Sequence, residues 1–233
     1  MTILFIDIET VPEFETYQKL PLDGQVAYEK KYRARIPFDF ETIDHAYKDA
    51  GLHAEFGKII CIGVGTVSVD PVDMHTTADT DGNLITCKCL VGDEKDILIK
   101  FAAGLAKKQP DALCAHNGRQ FDYPFLARRY MIHGLPIPAI LMTEGKKPWE
   151  MTALLDTMEM WRFGDNKTYV SLITLAYIFK IPSPKEDLDG SKVAEAFYQG
   201  RIVDIQAYCA RDIATLINIY RSMKYLPVIN KVA

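Results

Sequence analysis

The chain has 233 residues, 48% of them hydrophobic, and a formal charge of -4. That length and apolar content suit one large domain with a sizeable core and leave little room for a second. The negative balance excludes a polycation that coats nucleic acid indiscriminately, and no apolar stretch reaches the roughly 18 residues of a membrane span.

The N-terminus opens almost directly on an apolar run and has no charged segment, apolar core and small-residue cleavage site in series, so export is not expected. Five cysteines, Cys61, Cys87, Cys89, Cys114 and Cys209, are odd in number and mostly embedded in apolar runs. Reduced, buried thiols and a cytoplasmic location are the expectation. Cys87 and Cys89 form a lone CxC without a second cysteine pair or nearby histidines, a pattern too thin to assign zinc.

Taken in chain order, residues 2 to 8 read as a buried strand. Residues 12 to 56 are polar and dotted with aromatics, with helix-like stretches such as Gln25 to Arg35, and read as an insertion in a single domain of residues 1–233. Lys58 to Val69 reads as a second strand. A turn at Asp79 to Asn83 leads into Leu84 to Leu90, which suggests antiparallel neighbours. Asp93 to Lys107 carries apolar residues at helical spacing, with acids early and lysines late as the helix dipole favours. Ala112 to His116 is a short buried strand, and Phe121 to His133 a helix closed by Gly134. Leu154 to Trp161 reads as a strand or edge element, Ser171 to Phe179 as a helix, and Ile202 to Lys224 as a long final helix. Strands first in a meander, then alternating with helices, predict an α/β fold, a mixed sheet covered by helices.

Four acids in three places carry the chemistry. Asp7 and Glu9 end the first strand, and side chains two apart on a strand share a face. Asp39 and Glu41 have the same spacing but lack a long apolar strand before them. Asp122 opens a helix, where the dipole alone favours an acid, yet it follows Asn117-Gly118-Arg119-Gln120-Phe121, a strand-to-helix loop of the kind in which α/β proteins bind ligands. Tyr208 and Asp212 lie four apart on the last helix, among Ile205, Cys209, Ile213 and Leu216, so Asp212 is directed inward and needs a cation or hydrogen bonds. Hard divalent ions such as Mg²⁺ or Mn²⁺ take oxygen ligands, and carboxylates from distant segments can hold two of them beside a phosphate. Arg128 with Arg129, Lys146 with Lys147, and Arg162 with Lys167 are candidate guides for a strand, although each pair also fits a solvated face. Asp156 matches no ligand position and reads as structural.

ILFIDIET, HNGRQFD and YCARD resemble, in order, the three exonuclease motifs of the DEDD superfamily in its tyrosine-containing subclass. The likeness runs from residue 3 to about 220, takes in the stretch DLDGSKV, and is nearest to stand-alone proteins related to the proofreading exonuclease domain of family B DNA polymerases. It implies a ribonuclease H-like fold with a sheet of five or more strands and helices on both sides. It implies that Asp7, Glu9, Asp122 and Asp212 ligate two divalent ions, while Tyr208 positions the attacking water. It also implies that Asn117 and Phe121 touch the frayed 3′ strand and that Thr10 contacts the terminal nucleotide.

The resulting expectation is a 3′-to-5′ exonuclease that releases nucleoside 5′-monophosphates from single-stranded or frayed ends, with DNA favoured over RNA as substrate although spacing does not fix that choice. A noncatalytic nucleic-acid-binding module of the same fold is the alternative, and a ribonuclease H-like endonuclease a third reading that the tyrosine motif disfavours.

Overall fold

The computed structural model describes residues 1–32, 42–69, 83–165, 167–182 and 188–229. The elements in order are β1 (Ile3–Pro12), α1 (Leu22–Tyr32), α2 (Ile43–Tyr47), β2 (Gly57–Val69), β3 (Asn83–Val91), α3 (Glu94–Lys108), β4 (Ala112–Ala115), α4 (Asp122–Ile132), β5 (Leu154–Asp156), α5 (Thr157–Arg162), α6 (Leu172–Ile178), α7 (Val193–Tyr198) and α8 (Ile202–Met223). The five strands make one sheet in the order β3-β2-β1-β4-β5. β1 runs antiparallel to β2, and β2 to β3, whereas β4 lies parallel to both β1 and β5. This is the mixed sheet that the strand and helix pattern predicts.

Alternation along β1 divides the core. Leu4, Ile6 and Ile8 pack with Ile97, Leu98 and Phe101 of α3 and Phe125, Leu126 and Tyr130 of α4. Phe5 and Val11 face the other way, toward α8 and α7. Helices therefore cover both faces, each burying an apolar stripe against the sheet. α3 begins where its composition says it should: the Asp93 side chain accepts from the Lys95 N–H as N-cap, and Lys107 and Lys108 lie in the last turn.

α8 is the element that brings the last motif to the sheet. Ile205, Cys209, Ile213, Leu216 and Ile217 form its buried stripe. The close approach depends on two glycines of β2. A Cβ at Gly63 would sit 2.6 Å from Cys209 Sγ, and one at Gly65 would sit 2.3 Å from Ile213 Cγ2. Any larger residue at either position would push the helix off the strand.

Several boundaries differ from the sequence reading. β1 extends to Pro12 rather than ending near residue 8. Leu154 to Trp161 is only three residues of strand, after which Asp156 caps α5 by accepting from the Met158 and Glu159 N–H groups. The helix over Val193–Tyr198 had no counterpart in the sequence reading. Between β1 and β2, the helix expected over Gln25 to Arg35 begins at Leu22, and Tyr17, Tyr28, Tyr32, Tyr47 and Phe56 gather with Leu20 in an aromatic-rich cluster of their own. The pair Asp39 and Glu41 and most of the Asp79–Asn83 turn lie outside the described residues.

Candidate active site

The register of the sheet puts the first two acids beside the last helix. Asp7 pairs with Gly63 and Glu9 with Cys61, so both carboxylates stand on the α8 face. A bulge follows: Glu9 opposes Cys61 but Thr10 opposes Ile59, and Ile60 is the extra residue. Asp122 arrives from the opposite side as the first residue of α4. β1 outruns its pairing with β4, which spans only Ile3 to Phe5, and Asp122 Oδ1 accepts the Ile8 N–H at 3.2 Å. From α8, the Tyr208 hydroxyl donates to the Asp212 carboxylate, and Asp212 lies within electrostatic reach of Asp7 and Glu9. The three sequence motifs thus converge beside the second half of β1.

The electrostatics of this point are unfavourable to bare carboxylates. Glu9 and Asp122 are buried, and burial is the largest cause of raised pKa values for all four acids. Glu9 is pushed up to about 8, with Asp212 adding repulsion, and Asp122 to about 7 despite the Ile8 N–H that favours its anion. Asp7 is raised well above the usual carboxylate range by burial and then by Glu9, Asp122 and Asp212. The positive charge of Arg211 tempers the rise at Asp212. Burial and the neighbouring acids lift Tyr208 above the ordinary tyrosine range, so its hydroxyl stays protonated at neutral pH. A concentration of four hard oxygen donors that repel one another, with the single charge of Arg211 acting on Asp212, fits divalent metal ions. Asp7 and Glu9 oxygens lie, with Cys209 Sγ, within 4.8 Å of one another.

The loop between β4 and α4 is held from below. Asp156 accepts from the Asn117 and Arg119 N–H groups at 3.0 Å each while capping α5, which explains this acid structurally. Arg119 spends its side chain on the Leu154 and Met151 carbonyls and on Glu159 at 2.7 Å. Gly118 serves packing rather than flexibility, since a Cβ there would meet Ala115 Cβ at 2.5 Å. Asn117 adopts a left-handed backbone, φ 59°, and its Oδ1 is buried without a hydrogen-bond partner. Phe121 is half-buried, its ring centroid 5.5 Å from that of Phe125.

The other singled-out residues lie around the cluster or away from it. Alternation puts Thr10 with Ile8, on the face opposite Asp7 and Glu9. Arg129 is buried in an ion pair with Glu94 and is no guide for a strand. Gly190, in the stretch DLDGSKV, does come to the site: a Cβ there would lie 3.8 Å from the Tyr208 hydroxyl. The CxC pair is split by its surroundings. Cys87 packs with Ile213 and Ile217, whereas the Cys89 sulfur groups with those of Cys61 and Cys209. That trio was not legible as a motif because its members come from β3, β2 and α8. All five cysteines are free thiols.

Residues 53–227 match a family described as "Predicted 3'-5' exonuclease related to the exonuclease domain of PolB". The chain belongs to that family. The matched range holds Asp122, Tyr208 and Asp212; Asp7 and Glu9 precede it. A DNA polymerase of Pyrococcus glycovorans is 27% identical over 187 residues, covering 71% of this chain and 21% of the polymerase. One from Desulfurococcus sp. (strain Tok) is 29% identical over 121 residues, covering 48% of this chain and 13% of the polymerase. The chain therefore spans about a fifth or less of the length of these relatives. The family B DNA polymerase of Pyrobaculum calidifontis shares the fold with a TM-score of 0.52 at 14% identity, over 93% of this chain and 24% of the polymerase. The fold is the ribonuclease H-like α/β fold that the motifs imply, and the family relates the chain to exonuclease activity. No helix among the described residues is long and apolar enough to cross a membrane.

Proposed function

We propose that the chain is a divalent-metal-dependent 3′-to-5′ exonuclease, its domain spanning residues 1–233, that removes nucleoside 5′-monophosphates from single-stranded or frayed 3′ ends, DNA before RNA. The observation that carries this reading is the convergence of Asp7, Glu9, Asp122 and Asp212, with Glu9 and Asp122 buried and Tyr208 bonded to Asp212. Two Mg²⁺ or Mn²⁺ ions held by these carboxylates would acidify a water and neutralise the charge that builds on the leaving 3′ oxygen.

The protein's own groups set the geometry. Tyr208, held protonated, is a donor and orienter rather than a base. Asn117, whose amide oxygen lacks a protein partner, and Phe121, whose ring is half-exposed, stand on the loop beside Asp122 and suit contact with a terminal base. Five free thiols accord with a reducing compartment such as the cytoplasm.

The test is Mn²⁺-dependent digestion of 5′-labelled and circular single-stranded DNA and RNA. A ladder shortening from the 3′ end, absent on circles and abolished in Asp212→Asn, is the expected result. Tyr208→Phe should slow it about 10- to 100-fold, the worth of one hydrogen bond to a charged group, while keeping the thermal stabilisation by Mn²⁺. Binding of strands with no product from metal-loaded protein would replace the enzyme by a binding module, and cleavage of circles would replace it by an endonuclease.

A further inference from the structure

The α8 face of the sheet holds a second constellation beside the acids. Across the antiparallel strands, Asp7, Gly63 and Cys89 form one row, and Glu9, Cys61 and Val91 the next. Because Gly63 has no side chain, the Cys209 thiol descends from α8 into the gap between Asp7 and Cys89. The sulfurs of Cys61, Cys89 and Cys209 lie within 4.8 Å of one another. The Cys89 thiol donates to the Gln206 carbonyl at 3.4 Å and is also in hydrogen-bonding contact with the Cys61 and Cys209 thiols.

We propose that Cys61, Cys89 and Cys209 form a site for a thiophilic d¹⁰ cation of the zinc or cadmium class, and that Asp7 couples this site to the carboxylate cluster. Zinc–sulfur bonds of about 2.3 Å around a tetrahedral ion set the sulfurs about 3.8 Å apart, inside the 4.8 Å within which these three sulfurs lie. Binding would release the thiol protons to solvent as the metal–sulfur bonds form. Three thiols leave one tetrahedral position. The anionic donor that reaches this position is Asp7, whose Oδ2 is 3.7 Å from Cys209 Sγ. Cys209 belongs to both groupings, with Cys61 and Cys89 on one side and with Asp7 and Glu9 on the other.

A soft ion that recruits Asp7 withdraws it from the cluster, so occupancy of the thiol site inhibits phosphodiester hydrolysis. This consequence rests on the proposed exonuclease activity; the binding itself does not. Cys87 supplies an internal control, since it is two residues from Cys89 on the same strand face but sits among isoleucines.

The experiment is titration of the reduced, chelator-treated full chain with Cd²⁺, read as ultraviolet thiolate-to-cadmium charge-transfer absorption. Saturation at one ion per chain is expected for the wild type and for Cys87→Ser. Cys61→Ser and Cys89→Ser should each lose about a third of the absorption and bind at least about tenfold more weakly. Circular dichroism checks that each variant folds, and a Cys89→Ala variant replaces Cys89→Ser if the serine does not. Absence of a saturable band, or equal loss in Cys87→Ser, would overturn the site. In the Mn²⁺-dependent nuclease assay, one equivalent of Cd²⁺ should inhibit the wild type and spare Cys89→Ser; equal inhibition would overturn the coupling through Asp7. A wild type inactive before any Cd²⁺ is added would sink the exonuclease reading and leave the absorption result to decide the site.

Discussion

Two groupings of acid, one on the α3 face of this sheet and one centred on its α8 face, solve the same physical problem differently. Glu94, at the start of α3, is surrounded by donors: the Ile59 N–H at 2.7 Å, Arg129 Nε at 2.8 Å, a second Arg129 nitrogen, and His133 Nε2 at 2.7 Å. Arg129 in turn donates to the Ala54 carbonyl at 2.8 Å. One acid is matched by one arginine, and the result ties α3, α4 and β2 together. Along the second half of β1, four acids share the Ile8 N–H, the Tyr208 hydroxyl and the Cys209 thiol, with the Arg211 charge acting on Asp212, and they repel one another. Burial of charge does not by itself mark a site. Burial of charge that the protein leaves unbalanced does.

The comparison breaks most visibly when one member of each cluster is changed. Asp7→Asn should lower nuclease activity about 1,000-fold or more, about 4 kcal/mol of transition-state stabilisation, because metal-held charge contributes several kcal/mol. The same variant should melt no lower than the wild type without metal, since it removes a repelled charge. Activity within tenfold of the wild type, measured in Mn²⁺, would remove Asp7 from the chemistry. Arg129→Met is expected to do the opposite: activity per folded molecule is kept, but stability falls by about 3 kcal/mol in urea unfolding because Glu94 is left buried without its partner. Glu94→Gln in the same chain should recover part of that loss, and failure to recover any would mean that packing of the arginine stem, not charge, is what matters.

The two clusters also differ in how far the sequence disclosed them. Asp7 and Glu9 were legible because a strand's period of two forces both to one face, and Tyr208 and Asp212 because a helix's turn does the same. Asp122 was legible only through its loop. The Glu94–Arg129 pair was not, since 35 residues separate its members and each looks like a surface charge on an amphipathic helix. Arg129 accordingly passed for a strand guide. The cysteine trio escaped for the same reason: Cys61 and Cys89 meet diagonally across β2 and β3, and only the register, with Gly63 opening a hole for Cys209, brings the third sulfur in. Periodicity predicts which face a residue takes; long-range register decides whom it meets there.

The smallest effect is also the most specific to unbalanced acids. In the folded protein without metal, Asp7, Glu9, Asp122 and Asp212 all titrate above the ordinary carboxylate range, Glu9 at about 8 and Asp122 at about 7, with burial as the first cause. Folded pKa values above the unfolded ones mean that, from roughly pH 4 to pH 8, the folded protein holds protons the unfolded chain has shed. Stability should therefore fall as pH rises through that window. His116 acts with the opposite sign, because burial lowers its pKa and the unfolded chain is then the better proton binder below about pH 6.5. The decisive quantity is thus the difference between wild type and Asp7→Asn, followed as melting temperature against pH in chelator. The wild type should lose more on going from pH 5 to pH 8, and Mn²⁺ should return most of that loss at pH 8, where it binds the ionised cluster, and little at pH 5. Parallel pH profiles for the two proteins would mean that these acids are compensated within the protein, as Glu94 is, and that nothing in the cluster demands a metal.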